Sequence, residues 1–321
     1  MSRGTVNAAQ GIDVPVIFLA GTTASGKTEL ALKLAEEFPI DLVSVDSGQV
    51  YRGMDIGTAK PPRDVLKGVP HALIDIRDPD SPYSAADFQN DARQFIAQSR
   101  ARGRIALCVG GTLFYFSALL HGLSKLPRAD AALRASLEEE ADAIGWDALY
   151  DRLRQLTPDR SERIAPHDRQ RILRALEIHA LGGESGTAPE RSGGLLDAAV
   201  PVLKLCLFTS DRAVLHERIS HRFKQMLEQG FLEEVQNLRS AFPEAQQTPA
   251  MRSVGYQQAW HYLDGNISRQ QFEEDVQTAT RRLAKRQLTW LRNDPGWIWF
   301  DGLNPGVTDA VLRFLASAGC G

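Results

Sequence analysis

The stretch VPVIFLAGTTASGKTELALKLAEEF, residues 14–38, decides the fold class. Val14 to Ala20 is a short β-branched run that breaks at Gly21, and from Lys27 to Phe38 the residues Leu30, Leu34 and Phe38 recur at helical spacing. That is strand, glycine loop, helix. Between the two, Gly21, Thr22, Thr23, Ala24, Ser25, Gly26, Lys27 and Thr28 satisfy G-x4-G-K-[ST] in the context that gives the pattern meaning. Loop N–H groups and the positive end of the helix dipole favour a polyphosphate there. Lys27 adds a point charge, and the Thr28 hydroxyl can ligate Mg2+. The alternative is a glycine-rich structural turn.

Outward from this unit, Leu42 to Val45 reads as a second strand closing on Asp46, and Ala72 to Ile76 as a third. Ala85 to Arg102 reads as a helix, and Ile105 to Val109 as a fourth strand ending at Gly110-Gly111. The alternation predicts an α/β fold: a P-loop-type parallel sheet core flanked by helices. From about Leu120 to Ala180 the strand signal disappears, with helical spacing over Ala131 to Ala143 and Arg169 to Leu181. Gly182 to Gly194 reads as a flexible return loop. Val202 to Phe208 is a strand rejoining the sheet, followed by helices over Arg212 to Glu228, Phe231 to Ala241, Val254 to Leu263 and Arg269 to Leu291, and a last strand at Trp297 to Phe300. The expected organisation is a disordered lead-in over 1–13, a core from 14–119 and 201–321, and a helical insertion domain over 120–200.

The 321 residues carry 37 Lys+Arg against 40 Asp+Glu, a formal charge of −3, and 43% are hydrophobic. A chain of this length needs no staple to bury a core. No apolar run approaches the roughly 18 residues of a membrane span, and the first residues lack the apolar region of a signal peptide, so a cytoplasmic protein without a membrane partner is expected. Cys108, Cys206 and Cys320 are too few and too far apart for a metal knuckle or a disulfide framework. Cys108 and Cys206, inside apolar runs, read as small buried hydrophobes. Near-neutral charge leaves nucleic-acid contact to local patches.

Asp46 stands at the carboxyl end of the second strand, outside which ligands of open parallel sheets bind. Three roles are open to it: a general base, a Mg2+ ligand through water, or a loop cap for Ser47 or Gly48.

Downstream lies SGQVYRGMDIGTAKP, residues 47–61, and here the chain resembles the tRNA dimethylallyltransferase (tRNA isopentenyl-pyrophosphate transferase) family. The resemblance extends through GTTASGKT, the segment His71 to Ser84 with its IDIRDP core, VGGT at 109–112, DRQRILRALE at 168–177, SVGYQ at 253–257 and TRRLAKRQLTWLR at 280–292, in the family's order. Thr22 departs from the proline usual in the family, and no C-terminal zinc-finger cysteines are present, so the chain looks like the compact bacterial form. The resemblance implies transfer of a dimethylallyl group from dimethylallyl diphosphate to N6 of the adenosine just 3′ of the anticodon, releasing pyrophosphate. It places Thr23 near the oxygen bridging carbon and phosphorus.

Adenine N6 is a poor nucleophile that needs positioning and loss of a proton, for which Asp46 is the candidate base. The leaving diphosphate needs positive charge: the loop Gly21 to Thr28, Mg2+ at Thr28, and an arginine, for which Arg222 is chosen against the alternative of a solvated face in HERISHRFK. The target base would have to leave its stack, flanked by Asp46, Ser47, Gly48, Gln49 and Thr112. Gln170, Arg171 and Arg174 match the family's tRNA-contacting stretch, as does Arg134 at the equivalent spacing after Gly110-Gly111-Thr112; Arg171 and Arg174 could equally be structural partners of Asp168 and Glu177. Arg252, before SVGYQ, and Arg282, Lys285 and Arg286, on a helix without an acid from Val276 to Arg292, complete the expected tRNA surface. The expected partners are a tRNA anticodon stem-loop and dimethylallyl diphosphate, and the protein is expected to be a monomer. The competing readings are a P-loop small-molecule kinase and a noncatalytic RNA-binding protein with a vestigial loop.

Overall fold

The computed structural model describes residues 14–127, 129–183 and 191–320. The expected lead-in and positions 184–190 of the expected return loop lie outside the described residues. The chain forms two compact units, Met1–Leu120 with Leu195–Gly321, and His121–Gly194.

The first unit runs β1 (Val16–Gly21), α1 (Lys27–Glu37), β2 (Ile40–Val45), α2 (Arg63–Gly68), β3 (His71–Ala72), α3 (Ala85–Ala101), β4 (Ile105–Gly110) and α4 (Leu113–His121). The second contains β5 (Leu123–Ser124), α5 (Ala131–Ile144), α6 (Trp146–Leu156), α7 (Pro158–Ser161), α8 (Arg169–Ala180) and β6 (Arg191–Ser192). The first then resumes with β7 (Val202–Phe208), α9 (Arg212–Glu228), α10 (Phe231–Ala241), a 3-10 turn at Pro243–Gln247, α11 (Tyr256–Leu263), α12 (Arg269–Asn293), β8 (Ile298–Asp301) and α13 (Val307–Ser317).

Six strands form one parallel sheet in the order β3-β2-β4-β1-β7-β8. β1 is wholly buried, as a parallel strand covered on both faces must be. Its residues alternate between two cores. Val16, Phe18 and Ala20 join Phe88, Phe116, Phe272 and Val276 of α3, α4 and α12 on one face. Ile17 and Leu19 join Leu30 and Leu34 of α1, and Val311 and Leu315 of α13, on the other. Fully burying each of the valine, isoleucine, leucine and phenylalanine side chains among them contributes about 1.5–3 kcal/mol. The second unit has its own core of Leu137, Leu149, Leu153, Ile172 and Leu176.

Some boundaries differ from the sequence reading. The third strand stops at Ala72 because Leu73 and Asp75 take left-handed backbone, φ 66° and 56°, turning the chain off the sheet before Ile76. α11 begins at Tyr256 instead of Val254 because Gly255, at φ 95°, forms its N-cap. The last strand starts one residue late, since the Trp297 indole N–H donates to Asp294 Oδ2 in the turn before it. The insertion is not purely helical: β5 and β6 pair antiparallel over two residues each, too short for a periodic signal. α4 and α13 were not anticipated; α4 is apolar almost all round and carries little helical period. The three cysteines are free and buried, and burial pushes the Cys108 thiol up and that of Cys206 up to about 12. Among the described residues, no helix is long and apolar enough to cross a membrane.

Candidate active site

β1 lies between β4 and β7, so the loops that follow β1, β2 and β4 gather at the carboxyl edge of the sheet, beside α9 and α12. This close gathering needs glycine: a Cβ on Gly110 would stand 2.0 Å from the Val45 carbonyl oxygen. The phosphate loop ends at Gly26, whose φ of 93° suits only glycine without strain, and α1 begins at Lys27.

Lys27 folds back over the loop, its Nζ donating to Thr22 O at 2.6 Å and to Ser25 Oγ at 3.4 Å. Burial, reinforced by the nearby Arg222 charge, lowers its pKa to about 8. Thr22 is buried and its hydroxyl has no hydrogen-bond partner among the described residues. The Thr28 side chain is exposed and faces a cavity of about 790 Å³ lined by residues 23–28, Asp46, Arg218, His221 and Arg222.

Asp46 follows the last residue of β2. Its Oδ1 accepts from the Gly48 N–H at 2.8 Å and the Gln49 N–H at 3.3 Å, whereas Oδ2 makes no hydrogen bond among the described residues. Burial raises its pKa, opposed by those two N–H groups and by the charges of Lys27 and Arg222. The loop-cap geometry is therefore present, and it occupies one oxygen only. Ser47 N donates to Thr112 Oγ1 at 3.0 Å, tying the loops after β2 and β4. The Gln49 amide is engaged in structure: its Oε1 accepts from Ser44 Oγ at 2.8 Å, and its Nε2 donates to Thr58 O at 3.4 Å.

Arg222, on α9, is half-buried and points into the site, not onto a solvated face. Its Nη1 donates to Thr23 Oγ1 at 3.4 Å. Thr23, Asp46 and Arg222 also line a second cavity of about 580 Å³, whose apolar wall includes Ile219, Phe223, Phe231, Val276 and Leu283. The exposed rings of Phe114 and Trp290 line this cavity as well. Thr23, Asp46 and Arg222 are thus among the residues that line both cavities.

The expected tRNA-binding residues separate. Arg252 and Arg286 line the second cavity. Arg282 lies in a different groove with His261 and Asp275, and Lys285 is exposed on the helix surface. In the second unit, Gln170 and Arg171 are exposed, with Arg171 Nε 3.3 Å from Asp168 Oδ2. Arg174 and Arg134 are instead held by the fully buried Glu177, at 2.7 and 3.4 Å, and Glu177 also accepts from the Asp130 N–H at 2.6 Å. For both Arg171 and Arg174 the structural partner named as an alternative is present, at the exposed end of the helix for Arg171 and at a buried carboxylate for Arg174.

Two residues not anticipated as part of the site shape it. Gln287 is buried on α12, accepting from the Thr23 N–H at 2.8 Å and donating to Gly111 O at 2.9 Å. Glu234 on α10 accepts from the N–H groups of Asp55, Ile56 and Gly57 and from the Tyr256 hydroxyl, fixing the wall at Gly57 and Thr58. Neither has a local sequence signal; their partners lie 264 and about 180 positions away.

No cluster of three His, Cys, Asp or Glu side chains capable of holding a metal occurs among the described residues. The open Thr28 hydroxyl at a phosphate loop suits Mg2+ all the same, because this ion keeps its waters and arrives bound to phosphate oxygens.

A sequence profile described as IPP transferase matches residues 49–294. A tRNA dimethylallyltransferase of Alkalilimnicola ehrlichii is 50% identical over 305 residues, covering 94% of this chain and 96% of the relative. The solved tRNA isopentenylpyrophosphate transferase of Bacillus halodurans superposes with a TM-score of 0.69 at 36% identity, covering 94% of this chain and 96% of that one. A eukaryotic dimethylallyltransferase solved acting on tRNA gives a TM-score of 0.75 at 25% identity, covering 95% of this chain and 79% of that one.

Proposed function

The chain belongs to the IPP transferase family, and from that premise we infer that it transfers a dimethylallyl group to tRNA. The donor is dimethylallyl diphosphate and the acceptor is N6 of the adenosine 3′ of the anticodon; pyrophosphate is released. The observation that carries this reading is the meeting of a phosphate-loop cavity and a largely apolar cavity at Thr23, Asp46 and Arg222. A diphosphate can enter from one side and an extruded base from the other. The relatives named above carry prenyltransferase names, which favours this reading over a kinase or a noncatalytic RNA-binding protein.

In the transfer, the bond between N6 and the dimethylallyl C1 forms as the bond from C1 to the bridging oxygen breaks, and the electron pair leaves with the diphosphate. The N6 proton passes to Asp46 Oδ2, the oxygen that the loop cap leaves open. Loop N–H groups and Lys27 hold the diphosphate, and Arg222 with the Thr23 hydroxyl faces the bridging oxygen, so positive charge is in place where negative charge develops. Mg2+ carried on the diphosphate, with Thr28 as its ligand from the chain, would offset further charge on the leaving group.

On the tRNA side, Arg252, Arg282, Lys285, Arg286, Gln170 and Arg171 supply the phosphate contacts. The enzyme acts as a cytoplasmic monomer. Incubation with tRNA, Mg2+ and dimethylallyl diphosphate, followed by mass spectrometry of the nucleosides, should yield adenosine heavier by one dimethylallyl group. Phosphate transfer from ATP without such a product would return the chain to the kinase reading.

A further inference from the structure

The Gln287 amide sits between two loops that leave adjacent strands. Thr23 N can only donate and Gly111 O can only accept, so the orientation of the amide is fixed by its partners. Glutamine satisfies both; glutamate would set a carboxylate against the Gly111 carbonyl. The contact also withdraws the Thr23 N–H from the set that can face a phosphate, so the bond serves the placement of Thr23 and not the grip on the diphosphate.

The next residue is strained: Ala24 has φ 61°, a left-handed conformation rarely adopted outside glycine. Such a residue persists where its surroundings over-determine it. Ala24 packs against Leu215, Ile219 and Ala284, and Ala284 lies three residues before Gln287 on α12. One helix thus holds residue 23 by a hydrogen bond and residue 24 by packing.

We propose that Gln287 is a positioning residue for the transfer: by bridging the Thr23 N–H and the Gly111 carbonyl, it fixes the Thr23 hydroxyl against Arg222 where the two cavities meet. The proposal rests on the reading that Thr23 faces the transferred group. It is tested with Gln287→Met, which removes both hydrogen bonds at similar volume, and with Gly111→Ala, whose methyl would stand 2.5 Å from Gln287 Nε2 and push the amide aside without altering α12. A misplacement of the reacting groups by about 1 Å costs a factor of about 10² in rate.

Single-turnover rates at saturation, separate affinities for dimethylallyl diphosphate and tRNA, and thermal midpoints are measured in the wild-type and Thr23→Val backgrounds. The expected result is a rate loss of about 10² in both variants with affinities changed less than about threefold, and little further loss from Gln287→Met once Thr23 is valine. A near wild-type rate in either folded variant overturns the proposal, as does a parallel loss of both affinities. If Thr23→Val is slow and Gln287→Met multiplies that defect in full, the proposal fails while the reading of Thr23 stands. If Thr23→Val alone transfers at the wild-type rate, that reading has failed. Should Gln287→Met not fold, Gly111→Ala decides by the same criteria.

Discussion

At Asp46 the alternatives left open by the sequence fall on different atoms. Oδ1 caps the loop through Gly48 and Gln49, and Oδ2 is open to act as the base. Asp46→Asn keeps the Oδ1 acceptor, so folding and substrate binding should survive while the single-turnover rate falls by a factor of about 10² to 10⁴, or roughly 3 to 5 kcal/mol. A loss below tenfold would sink the base assignment; a loss of diphosphate affinity restored by added Mg2+ would point to metal ligation. The pH profile follows from burial. Asp46 must be deprotonated to act, so its raised pKa moves the acid limb of kcat/KM above the ordinary carboxylate range. Lys27 must be protonated to hold diphosphate, so its lowered pKa sets an alkaline limb near 8. Between about 8 and 10.5 the unfolded chain holds more protons on Lys27 than the folded one, so this group's contribution to stability rises with pH there. The alkaline loss should therefore precede unfolding, and Lys27→Arg should remove it. Lys27→Ala should weaken diphosphate binding and leave tRNA affinity nearly unchanged.

At the scale of elements, α12 and α8 were both legible as helices, but the sequence could not assign their cations. Helical period gives a face; it does not give the neighbour that the face meets. On α12 only Arg286 of the three expected cations lines a cavity with Asp46. Arg286→Glu should therefore weaken tRNA binding more than Arg282→Glu, and it should flatten the log–log salt dependence by about one unit for each phosphate no longer neutralised. Equal effects would make the helix a diffuse positive surface. On α8, Arg174 is tied to the buried Glu177 while Arg171 is exposed. Glu177→Gln, which weakens a buried cluster of two arginines and one N–H, should destabilise the second unit, by up to about 3–5 kcal/mol if the ion pairs are broken outright. Arg171→Ala should lower tRNA affinity with an unchanged thermal midpoint. The opposite pattern, a stable Glu177→Gln and an unstable Arg171→Ala, would reverse the assignment.

For the whole molecule, the sheet was readable because parallel strands buried on both faces are continuous apolar runs, and the phosphate loop fixes the orientation of β1 relative to α1. What escaped reading was set by contacts across the chain: the left-handed corner at Leu73 and Asp75, the two-residue pairing of β5 with β6, and Gln287 reaching back to Thr23. The second unit offers a test at this scale. The chain leaves the first unit at Leu120 and re-enters it at Leu195, where Leu195 N donates to Leu119 O at 2.9 Å and Leu196 N to Leu120 O at 3.1 Å. The two ends are backbone neighbours, so replacing His121–Gly194 with a short glycine-serine turn asks for little loop-closure entropy, since that cost grows only slowly with length. The core of the first unit keeps all its sheet pairings in such a chain. It should unfold cooperatively and bind dimethylallyl diphosphate with affinity close to that of the full chain. Its tRNA affinity should fall, because Gln170 and Arg171 leave with the insertion, and the salt dependence of the remaining binding should be shallower. Calorimetry and diphosphate titration check the first half, and tRNA binding at several salt concentrations the second. Undiminished tRNA binding would confine recognition to the first unit and assign its phosphate contacts to Arg252 and α12.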